Sequence, residues 1–216
     1  MEIGKNKAAL FDMDGVVVDT ESQYSVFWDK VGSEALGIEN FDALIKGTTN
    51  KQIGEKYFSG REEEFARITE ANRAWEAQMT YNYFPGVTDF LADLRANGVK
   101  LALVTSSDNA KMQYVYQAHP ELKELFDCIL TAENFTQSKP HPECFLLGME
   151  QLNSTAETTF VFEDSFHGLQ AGMSSGATVI GLATTNPAQE LKGKAHYILD
   201  NFEGMTFEKL MRLSQY

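Results

Sequence analysis

One short apolar run that ends in two carboxylates constrains this chain more than any other feature. Ala8-Ala9-Leu10-Phe11 reads as a buried strand, and Asp12-Met13-Asp14-Gly15 follows where that strand should end. Acids beside a core are costly unless a counter-charge or a metal meets them. Gly15 marks the point where the backbone leaves the extended form. Taken alone, D-x-D-G serves equally well as an acidic turn after a strand. The rest of the chain has to decide between the two.

From Val87 onward strand and helix patterns alternate. Apolar runs at 99–104, 128–130, 159–162, 178–181 and 196–199 predict strands, and the stretches near 87–96, 110–118, 168–175 and 207–213, with another opening at Pro142, predict helices. Such alternation implies parallel strands joined by helical crossovers, with the sheet covered on both faces. The segment between Glu21 and Tyr83 contains no convincing strand. Trp28, Val31, Ala35 and Leu36 recur at helical spacing, as do Phe65, Ile68, Asn72, Trp75 and Met79, while Glu62, Glu63, Glu64 and Arg67 fill a solvated face. That segment is too long for a connection within one layer, and Phe84-Pro85-Gly86 closes it as a turn. The expected architecture is a three-layer, Rossmann-like parallel-sheet core formed by residues 1–15 and 85–216, with an inserted all-helical cap of residues 16–84.

Composition narrows the partners. With 216 residues, 43% of them hydrophobic, the chain can bury a substantial core. A formal net charge of -13 repels polyanions, which argues against nucleic acid and anionic membrane surfaces. A small anionic substrate then needs a local cation or metal. Cys128 and Cys144, the two cysteines, both lie in apolar surroundings and are expected as buried thiols of a reducing compartment. No apolar run approaches the roughly 20 residues of a membrane span, and no signal-peptide pattern opens the chain. The expectation is a cytoplasmic monomer.

Ligands of open parallel sheets bind at the carboxyl ends of the strands, and the polar groups collect there. Asp12 and Asp14 follow the first strand, Thr105-Ser106-Ser107 the second, Ser138-Lys139-Pro140 the loop after the strand at Cys128, and Glu163-Asp164 a later one. Each has a plainer role when taken singly: a solvated lysine, helix-capping hydroxyls, an acidic pair at a helix start. Their joint occurrence at successive strand ends is what those roles leave unexplained. The set Asp12-Met13-Asp14-Gly15, Val104-Thr105-Ser106, Ser138-Lys139-Pro140 and Glu163-Asp164 resembles the four motifs of the haloacid dehalogenase superfamily. The runs 162–172 and 14–21 are similar to its branch of phosphatases and β-phosphoglucomutases with a helical cap.

The resemblance implies phosphoryl transfer through an aspartyl-phosphate. Asp12 would be the nucleophile, and Asp14 the acid for the leaving oxygen and then the base for water. Lys139 would neutralise the nucleophile and a phosphoryl oxygen, with Thr105, Ser106 and nearby backbone N–H groups orienting the phosphoryl group. A carboxylate approaching a phosphate at about 4 Å costs on the order of 4 kcal/mol per unit-charge pair at an effective dielectric near 20. Mg²⁺ suits the task of cancelling it. The implied ligands are Asp12 and Asp164, the Asp14 carbonyl, and Glu163 either directly or through water. The expected substrate is a small phosphorylated metabolite of the sugar or polyol phosphate class. Tyr24 and the loop Lys46-Gly47-Thr48-Thr49-Asn50 are the candidate cap contacts. Trp28 and Trp75 are expected to pack within the cap, and His167 to face solvent or to act as a ligand.

Two other activities compete. A β-phosphoglucomutase must hold a second phosphate. Enzymes of that type carry an arginine where this chain has Asn50, a lysine where it has Asp108 and a histidine where it has Tyr24. Lys46 and Lys51 compensate in part, and hydrolysis is favoured over mutation. A receiver-like phospho-accepting module shares the acid pair, hydroxyl, lysine and Mg²⁺ but places its accepting Asp in mid-sheet and has no large insertion after the first strand. Asp14 argues against halide displacement, which needs neither this second acid nor a metal.

Overall fold

The computed structural model describes residues 6–213. Six strands, β1 (Asn6–Phe11), β2 (Lys100–Val104), β3 (Cys128–Leu130), β4 (Ser154–Glu163), β5 (Thr178–Leu182) and β6 (Tyr197–Leu199), form one sheet in the order β3-β2-β1-β4-β5-β6. Every pairing is parallel. The core helices are α5 (Val87–Ala96), α6 (Asn109–Ala118), α7 (Leu122–Leu125), α8 (Glu143–Gln151), α9 (Phe166–Ser174), α10 (Ala188–Leu191) and α11 (Phe207–Leu213), numbered after four helices of the insertion. The ends of the expected core span, 1–5 and 214–216, lie outside the described residues.

Both faces of the sheet are covered, and the strands show why. Ala9 and Phe11 of β1 join Leu101 and Leu103 of β2, Phe160 and Phe162 of β4, and the buried faces of α5, α6 and α11. Ala8 and Leu10 point the other way, with Ala102, Val104 and Val161, into a second cluster completed by α8, α9 and α10. The period of two therefore divides a continuous apolar run between two cores, as a doubly covered parallel strand requires. Phe11 is the hub of the first core. It stacks on Phe162 at 4.4 Å between centroids and meets Phe90 and Phe126 edge-on, each at 6.2 Å.

The insertion is helical: α1 (Glu21–Val31), running into a single wide turn over Gly32–Leu36, then α2 (Phe41–Ile45), α3 (Asn50–Tyr57) and α4 (Glu62–Glu76). These helices pack round a cluster of their own, built on Trp28, Phe41, Ile45, Ile53 and Phe58. The two crossings between insertion and sheet run side by side: Val18 bridges Tyr83 antiparallel, Asp19 N–H donates to the Asn82 carbonyl at 2.8 Å, and Phe84 N–H to the Val17 carbonyl at 3.0 Å. Two details differ from the sequence reading. α4 ends at Glu76, so Met79 packs beyond the helix. β4 begins at Ser154 rather than near Thr159, its early part accommodated by a register shift against β1. No helix among the described residues is long and apolar enough to cross a membrane. Cys144 is buried and Cys128 half-buried, and both are free thiols.

Because Phe11 touches four other rings, Phe11→Ala should cost about 3–5 kcal/mol of stability. Urea unfolding followed by circular dichroism measures this, and a loss below about 1 kcal/mol would show the ring cluster to be loosely packed.

Candidate active site

β1 lies between β2 and β4, so the chain leaves it in one direction for β2 and β3 and returns on its other side for β4. The crevice at such a reversal is where parallel sheets hold ligands. Asp12 immediately follows β1 and is fixed by its own backbone, whose N–H donates to the Phe162 carbonyl at 3.0 Å. Gly15, at φ 75°, turns the chain back over the strand ends, and a Cβ there would stand 2.0 Å from Asp164 Oδ2. Glycine is thus required twice over, by the left-handed backbone and by the close approach of a carboxylate.

Lys139 is the cation of the crevice and is 1% exposed. Its Nζ donates to Asp12 Oδ1 and to Glu163 Oε1, both at 2.6 Å, and to the Val104 carbonyl at 3.2 Å. Glu163 is also held from behind. Its Oε2 accepts the backbone N–H groups of Asp164 and Ser165 at 3.0 and 3.1 Å and the Ser165 hydroxyl at 3.0 Å. Ser165 in turn caps α9, its Oγ accepting Gly168 N–H at 3.0 Å. Burial pushes the Asp12 carboxyl up to about 8 despite Lys139, with Glu163 and Asp14 adding to the rise. Burial likewise pushes Asp164 well above the usual carboxylate range, reinforced by Glu163, Glu21 and Asp12.

Asp164 shows what the cluster lacks. Among the described residues its buried Oδ2 has no hydrogen-bond partner, and neither does the buried Thr185 Oγ1. The Thr185 hydroxyl acts in the opposite direction to burial and lowers the carboxyl pKa. One oxygen from each of Asp12, Glu163 and Asp164 falls within 4.8 Å of the others. Three buried carboxylates against one ammonium leave negative charge unmatched, and an all-oxygen donor set of this kind fits a hard divalent cation such as Mg²⁺.

Asp14 lines the same cavity as Asp12. It accepts the Thr20 hydroxyl at 2.5 Å, the Ser107 hydroxyl at 2.9 Å and Lys111 Nζ at 2.5 Å. Burial alone would raise its pKa, but Lys111 and these hydrogen bonds outweigh that and hold the carboxyl below its usual range. Thr105 is buried, and its Oγ1 accepts Ser107 N–H at 3.0 Å, which shapes the turn after β2. Lys111, 3% exposed, was not singled out from the sequence, because a lysine one turn into a helix carries no local signal of burial.

The insertion closes over these groups, leaving a cavity of about 510 Å³. The candidate cap loop has its own fastenings. Lys46 is ion-paired to Glu21 at 2.8 Å and Asp42 at 3.1 Å. The Gly47 carbonyl accepts the Ser106 hydroxyl at 3.0 Å, so that hydroxyl binds the cap. Thr48 Oγ1 donates to the Ile45 carbonyl at 2.5 Å, and Thr49 caps α3 in a reciprocal arrangement with Gln52. Asn50 opens α3 and lines the cavity. His167 neither joins the acid cluster nor faces open solvent: its Nδ1 lies 2.8 Å from the Lys46 carbonyl. Tyr24 lines the cavity and donates to Glu76 Oε1 at 2.9 Å, with Lys111 over its ring at 4.5 Å. Trp28 is buried in the cap cluster, and Trp75 packs on Phe27 while its indole donates to the Gln23 carbonyl at 3.1 Å.

The architecture is that of known enzymes. A family model described as haloacid dehalogenase-like hydrolase matches residues 9–182. A probable phosphatase, IndB, of Dickeya dadantii is 32% identical over 209 residues, covering 89% of each chain. A phosphorylated carbohydrates phosphatase of Thermotoga maritima is 31% identical over 180 residues, covering 79% of this chain and 82% of that protein. Among solved structures, a β-phosphoglucomutase of Clostridium difficile superposes with a TM-score of 0.79 at 26% identity, covering 97% of both chains.

Gly168 tests how tightly Glu163 is seated. A Cβ there would lie 1.8 Å from Glu163 Oε1, so Gly168→Ala should force the carboxylate off Lys139. Breaking a buried ion pair costs about 3–5 kcal/mol. A urea melt should show that loss, whereas an alanine tolerated without change would mean that the pair is not rigidly held.

Proposed function

The chain belongs to the haloacid dehalogenase-like hydrolases, and from that premise we propose that it is a Mg²⁺-dependent phosphatase acting on a small sugar or polyol monophosphate through phosphorylated Asp12. The observation that carries the reading is the convergence of Asp12, Lys139, Glu163 and Asp164 from three separate loops, with one buried carboxylate oxygen of Asp164 left unpartnered. The carbohydrate-phosphate class is supported by the Thermotoga maritima relative.

In this reading Asp12 and Asp164 would hold the metal by their side chains, together with the Asp14 carbonyl. Glu163, whose two oxygens already accept four protein donors, fixes Lys139 and the loop carrying Asp164. Mg²⁺ bound there would supply positive charge that keeps Asp12 ionised and offsets the charge of the incoming phosphate. An Asp12 carboxylate oxygen forms the new bond to phosphorus while the bond from phosphorus to the leaving oxygen breaks. Lys139 and the backbone turn held by Thr105 steady the charge on the phosphoryl oxygens. Asp14 gives its proton to the leaving oxygen and later takes one from the water that opens the acyl phosphate. To act as the acid it must leave Lys111, whereas the paired state seen here is the carboxylate that the second step needs. Helices α1 to α4 act as the cap that excludes bulk water.

Replacing Asp12 by Asn should lower turnover of p-nitrophenyl phosphate by about 10³-fold or more, with the circular dichroism spectrum unchanged. Chelation with EDTA should abolish the parent activity, and Mg²⁺ should restore it. Turnover retained by the asparagine variant would remove Asp12 as nucleophile.

A further inference from the structure

Where α1 and α4 of the insertion meet the start of α6, the cavity has a wall that, Lys111 apart, the reaction above does not use. We propose that this wall is a subsite for an uncharged, hydroxyl-rich leaving group and that it turns away a second phosphate. The inference rests on the phosphatase reading and assigns the residues that would hold its substrate to monophosphates.

The wall is built from Asn72, Arg73 and Glu76 of α4, Tyr24 of α1, and Asp108 and Lys111 at the start of α6. Arg73 and Lys111 place cations where the sequence alone showed none, but neither is free. Arg73 donates to Glu76 at 2.5 Å and also to Asp108 across the gap between cap and core, and Lys111 is paired with Asp14. Lys46, also in the lining, is shared by Glu21 and Asp42. Lys51 reaches the lining too, but its side chain is 78% exposed at the rim.

The Arg73–Glu76 pair cannot be opened cheaply. Glu76 is 2% exposed, so a phosphate that captured Arg73 would leave a buried carboxylate without its cation. It would also bring its own charge of about -1.5 to -2 against Glu76, Asp108 and Asp14. Hydroxyl groups face no such penalty, because they bring donors to a wall rich in acceptors. Asn72 supplies an independent sign of the same need. It is 2% exposed and lines the cavity, its Nδ2 donates to Glu76 at 2.9 Å, and its Oδ1 accepts no hydrogen bond among the described residues. Its two neighbours on the wall, Glu76 and Asp108, carry further acceptor oxygens. A monosaccharide or polyol fits both the donor pattern and the size of the cavity.

Titration calorimetry with the full-length Asp12→Asn protein in Mg²⁺ tests the subsite by binding alone, using glucose 6-phosphate and glucose 1,6-bisphosphate as probes. The monophosphate should bind at least about tenfold tighter. Adding Glu76→Gln and Asp108→Asn removes both carboxylates from Arg73 while keeping side-chain shape and an effective cap for α6. In that protein the ratio should move toward the bisphosphate by about tenfold or more. If the double exchange unfolds the protein, Asp108→Asn alone should move the ratio in the same direction. A bisphosphate that binds as tightly as the monophosphate to the unaltered wall, or a ratio that the exchanges leave in place, overturns the subsite. If the parent enzyme hydrolyses no phosphomonoester yet the binding order holds, the phosphatase reading falls and the subsite stands.

Discussion

The buried ammonium of Lys139 between Asp12 and Glu163 is the contact on which the rest of the crevice depends. It brings the loop after β3 onto the ends of β1 and β4, and without it two carboxylates would face each other in a dry site. The repulsion is contained further by geometry. Glu163 is tied to the start of α9 through Ser165, and that helix comes close only because Gly168 has no side chain. What Lys139 cannot supply is the rest of the charge: among the described residues Asp164 keeps a buried oxygen with no hydrogen-bond partner. In the phosphatase proposed above, a cation and an anionic substrate together would complete such a site.

The insertion meets this site through backbone groups as much as through side chains. The carbonyls of Lys46 and Gly47 are held by His167 and Ser106, and Gln52 Nε2 reaches the Lys139 carbonyl at 3.3 Å. Arg73 adds a charged tie from α4 to Asp108 at the start of α6. These contacts join the loop that carries Lys139, the turn after β2 and the start of α9 to one helical lid. At Val18 and Tyr83 the two segments that connect the insertion to the sheet pair with each other.

Much of this was legible before any coordinates. The doubly covered sheet follows from apolar runs with no polar face, such as 8–11 and 159–162, and the alternation from Val87 onward fixes parallel connections. The motif acids were legible because they fall at the ends of strands, and Lys139 because it lies in the loop after β3, where side chains of different loops converge. The cavity wall was not. Asn72 shares the spacing of an apolar stripe, so its buried amide looked like one polar break in a packing face. Arg73 and Lys111 lie on helices with ordinary surface composition; Glu76 is within helical reach of Arg73, but Asp108 is 35 residues from it and Asp14 is 97 residues from Lys111. No local pattern encodes a pairing of that range. Thr49 was available to sequence reasoning in a different sense: Thr49-x-x-Gln52 is a capping box, which accounts for that hydroxyl without a ligand.

The central claim is that the acid cluster at the ends of β1 and β4 is a divalent-cation site completed by Asp164. Thermal unfolding of the full-length protein with and without millimolar Mg²⁺ measures this without reference to turnover, because a ligand of the folded state raises the melting temperature in proportion to its binding. The account predicts a clear rise for the parent protein and none for Asp164→Asn. An equal rise in both proteins, or no response in the parent, would contradict it.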